Sequence, residues 1–176
     1  WGSTVYYSKD KLVFKQMNLT KLSNFRYSKI ESFWNSYHTI AMGYNKKLYG
    51  FGGNHYGQLR KMPRKKEFKI SNNNFRNNLV EINTLNLNID QIKVMENNTI
   101  IVTKDGKIFM CGDNTHGELN NLSTNDLYKM NNQFIDFSSE FVEVKLGNIG
   151  VKEIKCDDQY YYLIDNDNYM YKWKNQ

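Results

Sequence analysis

The sequence predicts an all-β protein, and three observations carry that prediction. Apolar and polar residues alternate with a period of two over short runs, clusters rich in glycine and asparagine separate those runs, and one hairpin pattern returns along the chain. Thr39 to Gly52, Thr99 to Gly112 and Tyr161 to Lys174 each cover the same step of 13 positions, while the connectors between them vary in length. A fixed inner spacing between variable connectors marks an internal repeat.

Each copy reads as a β-hairpin. The first strands are 38–43, 98–103 and 160–164; the turns are YNKK, KDGK and DNDN; the second strands are LYGFG, IFMCG and YMYKWK. Asp105-Gly106 is the clearest turn, since glycine accepts the positive φ of a tight hairpin. The first two hairpins run into matching loops, Gly52-Gly53-Asn54-x-x-Gly57-Gln58-Leu59 and Gly112-Asp113-Asn114-x-x-Gly117-Glu118-Leu119. A glycine at a strand end lets the backbone turn sharply, the asparagine side chain can bond main chain, and the second glycine takes a conformation closed to other residues. Leu59 and Leu119 then return the chain to the core.

These residues carry a resemblance. His38-Thr39-Ile40-Ala41-Met42 through Gly57-Gln58-Leu59 resembles the regulator of chromosome condensation repeat family, as does the copy from Thr99 through Asn114 and Gly117 to Leu119, with Asn98 and Glu118 in place of histidine and glutamine. A third, degenerate copy stops at Tyr171-Lys172-Trp173-Lys174, and Trp1-Gly2 matches the end of an earlier one. The resemblance implies a β-propeller built of four-stranded antiparallel blades, with blade units over 1–52, 53–112 and 113–174. Gly2, Gly52, Gly112 and Lys174 mark periods of 50, 60 and 62 residues. About three blades fall short of the roughly 4 to 8 at which propellers close. The expectation is therefore a segment of a longer protein, an incomplete propeller completed by further blades of the same parent chain or by another subunit.

Composition agrees with one such domain. The 176 residues are 40% hydrophobic and 15% aromatic with one proline, enough apolar material for a core and a composition suited to strands. No run approaches 18 consecutive apolar residues, and the opening residues lack a basic-then-apolar signal pattern. An intracellular protein, cytoplasmic or nuclear, is expected. Cys111 and Cys156 lie far apart on strand positions and read as thiols rather than a disulfide framework. Sequons at Asn18, Asn97 and Asn121 matter only in a secreted protein.

In chain order, 12–19 is a strand candidate. Residues 30–34, 92–94 and 151–156 read as equivalent strands feeding the three hairpins, with apolar side chains between neighbouring blades. Residues 79–82 and 141–146 read as outer strands. The stretch 71–78, SNNNFRNN, reads as a mobile insert, and the similar 120–133 as an insert with a short helix capped by Ser123, Thr124 or Asn125.

The most charged stretch is RKMPRKKEFK, where Arg60, Lys61, Arg64, Lys65, Lys66 and Lys69 surround Pro63. Proline and charge density make it a loop. Closely spaced cations suit an acidic partner, such as phosphate, an acidic protein surface or an anionic membrane; a solvated connector is the plainer reading. The three histidines show no metal-ligand spacing, and His38 reads as a brace within its blade. Asp157-Asp158 and Asp165-x-Asp167 do not form the differently buried carboxylate pair of a hydrolase, and the glycine loops lack the Lys-Ser/Thr of a phosphate cradle. Abundant tyrosine permits stacking on nucleic acid, yet alternating aromatics more often fill a core.

The expected function is thus a non-enzymatic protein-protein interaction platform with no cofactor and no metal. The alternative, implied by the resemblance, is a guanine nucleotide exchange factor for a Ran-type small GTPase with chromatin association; no residue of this sequence matches an exchange wedge.

Overall fold

The computed structural model describes residues 6–8, 11–13, 24–34, 36–59, 75–119, 127–130, 133–157 and 159–174. All of the regular structure among them is β. β1 (Tyr6–Ser8) and β2 (Lys11–Val13) form a two-stranded pair. β3 (Tyr27–Ser32), β4 (His38–Gly43), β5 (Leu48–Gly53) and β6 (Phe75–Ile82) form the first full sheet as an antiparallel meander. The second sheet contains β7 (Ile89–Met95), β8 (Asn98–Thr103), β9 (Ile108–Asp113), β10 (Leu127–Met130) and β11 (Gln133–Val144) in the order β10-β11-β9-β8-β7. The third is the meander of β12 (Val151–Cys156), β13 (Tyr160–Asp165) and β14 (Met170–Lys174).

The hairpins of the three sheets share one register. His38 faces Gly52, Asn98 faces Gly112 and Tyr160 faces Lys174, and the following pairs keep step. Their turns place a positive φ at one equivalent position, Lys46 at 63°, Gly106 at 78° and Asn168 at 68°. Glycine meets that demand without strain and asparagine with little, whereas a lysine there is held by the surrounding bonds, Gly43 N to Lys47 O and Lys46 N to Gly43 O.

Repeat and sheet are out of phase: the sequence unit that ends at Gly52 supplies β3 to β5, and the following unit supplies β6. Four expectations need correction. Residues 127–130 are the strand β10, paired with β11, rather than part of a helix, because hydrogen bonding to 133–136 outweighs a local helical cue. Residues 75–78, expected in an insert, begin β6. The sheets are also unequal, with four, five and three strands; β10 adds the fifth strand by pairing with 133–136 of β11, which pairs with β9 from Phe137 onward across a register shift between Ser138 and Val142. The candidate strand 30–34 runs instead over 27–32, and Phe33 and Trp34 sit in the turn that follows.

The core lies between sheets rather than within one. Ile40, Met42, Leu48 and Leu59 of the first sheet pack against Ile92, Val94, Ile101 and Phe141 of the second. The other face of the second sheet presents Ile100, Val102, Ile108 and Leu119, at the same repeat positions, to Ile154, Tyr161 and Leu163 of the third. β8 is consequently buried on both faces. Each fully buried aliphatic side chain contributes on the order of 1.5 to 3 kcal/mol. Ile30, Ile92 and Ile154 occupy one repeat position, and their exposures are 69%, 1% and 0%. The second and third isoleucines are each covered by the preceding sheet, whereas Ile30 lies with Tyr27, Ala41, Phe51 and Leu79 in an apolar groove on the first sheet.

Candidate functional site

The glycine loops are built twice in the same way. Gly52 and Gly112 have φ of +105° and +120°, and a Cβ on either would run into the carbonyl oxygen of Tyr37 or Asn97. That close approach lets Gly53 N donate to Tyr37 O at 2.6 Å and Asp113 N to Asn97 O at 3.2 Å. The side-chain oxygen of Asn54 then accepts from Leu59 N at 2.8 Å, and that of Asn114 from Leu119 N at 2.9 Å. Both loops are thereby closed by one buried amide, as the asparagine positions suggest. Gly57 and Gly117 follow at φ of +74° and +81°. Gln58 Oε1 accepts from Tyr56 N and Glu118 Oε2 from His116 N, so Glu118 replaces a neutral amide while keeping its bond.

Each loop sits at a seam between sheets. At the first seam His38 is buried, with Nδ1 2.8 Å from Ser36 Oγ and Nε2 3.0 Å from Thr99 Oγ1. Thr99 Oγ1 gives its own proton to Gln58 O at 2.7 Å. A hydroxyl has one proton, so Thr99 must accept from His38, which places the imidazole proton on Nε2 and leaves Nδ1 to accept from Ser36. Burial pushes the His38 pKa down to about 3, in keeping with a neutral ring. The chain from β4 to β8 and back to the first glycine loop braces two sheets, where the sequence pointed to a brace within one. The Thr39 member of the same repeat position is only half-buried, on the face of the first sheet that bears the apolar groove.

At the second seam the equivalent positions hold other chemistry. Asn98, in the place of His38, turns its amide to Asp113 O at 2.8 Å. Tyr161, in the place of Thr99, stacks on Trp173 with ring centroids 4.8 Å apart. Burial raises the pKa of Glu118, and that of Tyr161 well above its ordinary value. Nearer the inner strands both seams reuse one bond. Lys29 Nζ donates to Asp90 O and Gln91 Nε2 to Lys152 O, each at 2.8 Å, from equivalent positions on β3 and β7. Lys93 also pairs with Glu31 at 2.8 Å.

Of the expected repeat residues, His38, Thr99 and Leu59 meet in or beside the first seam, Leu119 enters the second, and Gly52, Asn54, Gly57, Gly112, Asn114 and Gly117 shape the loops. The basic residues Arg60, Lys61, Arg64, Lys65, Lys66 and Lys69 lie outside the described residues. Both cysteines are free thiols, Cys111 buried and Cys156 raised to about 11 by burial. Among the described residues no group of three or more His, Cys, Asp or Glu side chains could hold a metal ion. No helix among them is long and apolar enough to cross a membrane. Sequence reasoning missed Ser36 and Gln58 as members of the seam; Gln58 acts through its backbone carbonyl, which side-chain type does not signal.

Comparison with known proteins agrees with this geometry. Residues 96–118 match the regulator of chromosome condensation (RCC1) repeat. Among solved structures, the chain is similar to yeast RCC1 (Prp20) bound to Kap60, with a TM-score of 0.67 at 17% identity, covering 85% of this chain and 32% of that one. It is similar to Saccharomyces cerevisiae Prp20p, from a study of its binding properties to Gsp1p and histones, with a TM-score of 0.67 at 16% identity, covering 85% and 33%. Human WBSCR16 gives a TM-score of 0.60 at 15% identity, covering 87% and 35%. No curated protein sequence matches the chain. The chain thus spans about a third of the length of these structural neighbours. The chain thus carries a match to one RCC1 repeat at 96–118, and its likeness to those neighbours shows their β-propeller fold.

Proposed function

We propose that the chain is part of a non-enzymatic platform for protein-protein interaction, intracellular and cytoplasmic or nuclear, needing no cofactor. The observation that carries this reading is the repeated seam. Buried groups such as His38, Thr99 and Asn54 spend their hydrogen bonds on fixing sheets and loops, leaving a rigid frame whose turns face outward. Rigid sheets that present variable loops suit recognition of another macromolecule. The uncovered groove at Ile30 fits a further blade of the parent chain or of another subunit, since the same position is sealed in the next two sheets. Blade units over 1–52, 53–112 and 113–174 remain our division of the repeat, and the basic residues Arg60 to Lys69 our candidate for an acidic partner. Gentle affinity purification of the tagged parent protein should return a stoichiometric protein partner. A protein recovered alone that turns over a small substrate overturns the reading.

A second reading is exchange activity on a Ran-type small GTPase, together with chromatin association. Its support is the likeness to Prp20p, a protein studied for binding to Gsp1p and histones. Release of a labelled guanine nucleotide from small GTPases should then accelerate on addition of the parent protein; an unchanged rate removes this reading and leaves the platform.

A further inference from the structure

The apolar groove on the first sheet, about 290 Å³ in volume, has the make-up of half a seam. Ile30, Ala41, Phe51 and Leu79 line it, and strand register gives them the repeat positions of Ile92, Ile101, Cys111 and Phe141. Those four are buried at the first seam, in one cluster with Ile40, Met42, Leu48 and Leu59 of the sheet that covers them. The polar parts of a seam recur at the groove as well. Thr39 shares the face of Ala41 and holds the position of Thr99, the hydroxyl that accepts from His38 and donates to Gln58 O. Ser28 is the extra residue at a register shift between Tyr27 and Lys29. Asp90 and Lys152 stand at the equivalent shifts, and their carbonyls accept the bonds from Lys29 and Gln91 across the two seams.

We propose that the groove seats one occupant, a sheet of the same repeat type that immediately precedes β3 in the same polypeptide and carries a hydrogen-bond donor at the position of His38. Three observations select it. Aliphatic side chains fill the covering positions at both seams, Ile40, Met42, Leu48 and Leu59 at the first and Ile100, Val102, Ile108 and Leu119 at the second, and the same set answers the groove. The chain runs from β6 of the covering sheet directly into β7 of the covered one, and from β11 into β12. The same path brings the chain into β3 from the sheet over the groove. The threonine position then separates two kinds of seam: Thr99 takes a proton from His38, whereas opposite Tyr161 the equivalent Asn98 turns its amide to Asp113 O. Thr39 marks the groove as a seam of the first kind, because a hydroxyl enclosed by an apolar sheet is destabilising unless it is bonded. The inference rests on the further blade of the platform reading and names its connection and its polar key.

The test is maleimide labelling of the native parent protein, read at single residues by mass spectrometry. Ile30→Cys should react about tenfold more slowly than Tyr44→Cys, a control at the β4–β5 turn. Without a covering sheet the two positions are matched, at 69% and 70% exposure, so equal rates overturn the inference. The protection should be the same at nanomolar and micromolar protein; protection confined to micromolar protein means a separate subunit and also overturns it. Cooperative unfolding of both cysteine variants establishes that they fold. Thr39→Val should lower the midpoint of thermal unfolding by about 2 to 4 °C, and Thr39→Ser should restore it. An unchanged midpoint in Thr39→Val overturns the donor opposite Thr39. Failure of the platform reading shows separately, in the purification of the parent protein without a partner, and leaves the labelling pattern as it is.

Discussion

The first and second seams have one backbone and two chemistries. At the first, His38, Thr99 and the carbonyl of Gln58 form a directional polar chain; at the second, Asn98 turns aside, Tyr161 stacks on Trp173, and a buried carboxylate, Glu118, replaces the amide of Gln58. Equivalent positions nonetheless keep their register and their loop closures. The difference teaches that the glycine and asparagine positions fix how a sheet ends and where the chain goes, whereas the seam residues decide only what holds neighbouring sheets together.

That distinction breaks first if the glycines behave differently at the two seams. Gly52→Ala and Gly112→Ala should each destabilise by about 3 kcal/mol or more, since both place a Cβ against a backbone oxygen at positive φ. Denaturant titration that finds one of them neutral removes the shared-backbone half of the comparison. The seam residues should instead diverge. Thr99→Val strands the His38 Nε2–H, leaves the Gln58 carbonyl only the Cys111 thiol, and should cost about 2 to 3 kcal/mol, while Trp173→Phe, whose indole nitrogen has no partner, should cost about 1 kcal/mol.

The two seams should also respond to acid with opposite signs. His38 has a folded pKa near 3, below its ordinary 6.5, so the unfolded chain takes up the proton first. Stability is then full above about pH 6.5 and falls toward pH 3, with a slope of at most about 1.4 kcal/mol per pH unit. His38→Asn should flatten that acid limb in a series of unfolding curves. Glu118 has a raised folded pKa, so its contribution is full below the ordinary 4.5 and is lost as the pH rises through its folded value. Glu118→Gln should therefore stabilise the protein at neutral pH and leave it unchanged at pH 4. The smallest effect tests the common turn: Lys46→Gly, at φ of 63°, should stabilise by about 0.5 kcal/mol, while Gly106→Lys destabilises at the same repeat position.

The same division describes what could be read before the fold was known. The hairpins, the loop-closing asparagines and the glycines at positive φ were legible, because a strand turn or a tight loop restricts residue type over a few neighbours. The short helix expected within 120–133 gives way where β10 pairs with β11, because a partner in another strand outweighs a local cap. His38 was legible as a brace but not as one between sheets, since its partner Thr99 lies 61 residues away.

The sequence alone determined the repeat, its hairpin register and the shape of its glycine loops, all of which follow from contacts within about 20 residues. Only the tertiary structure decided which faces of those hairpins meet, that His38 is neutral, and that Glu118 is buried. Those properties depend on distance and dielectric between separate sheets, which stacking sets and composition does not.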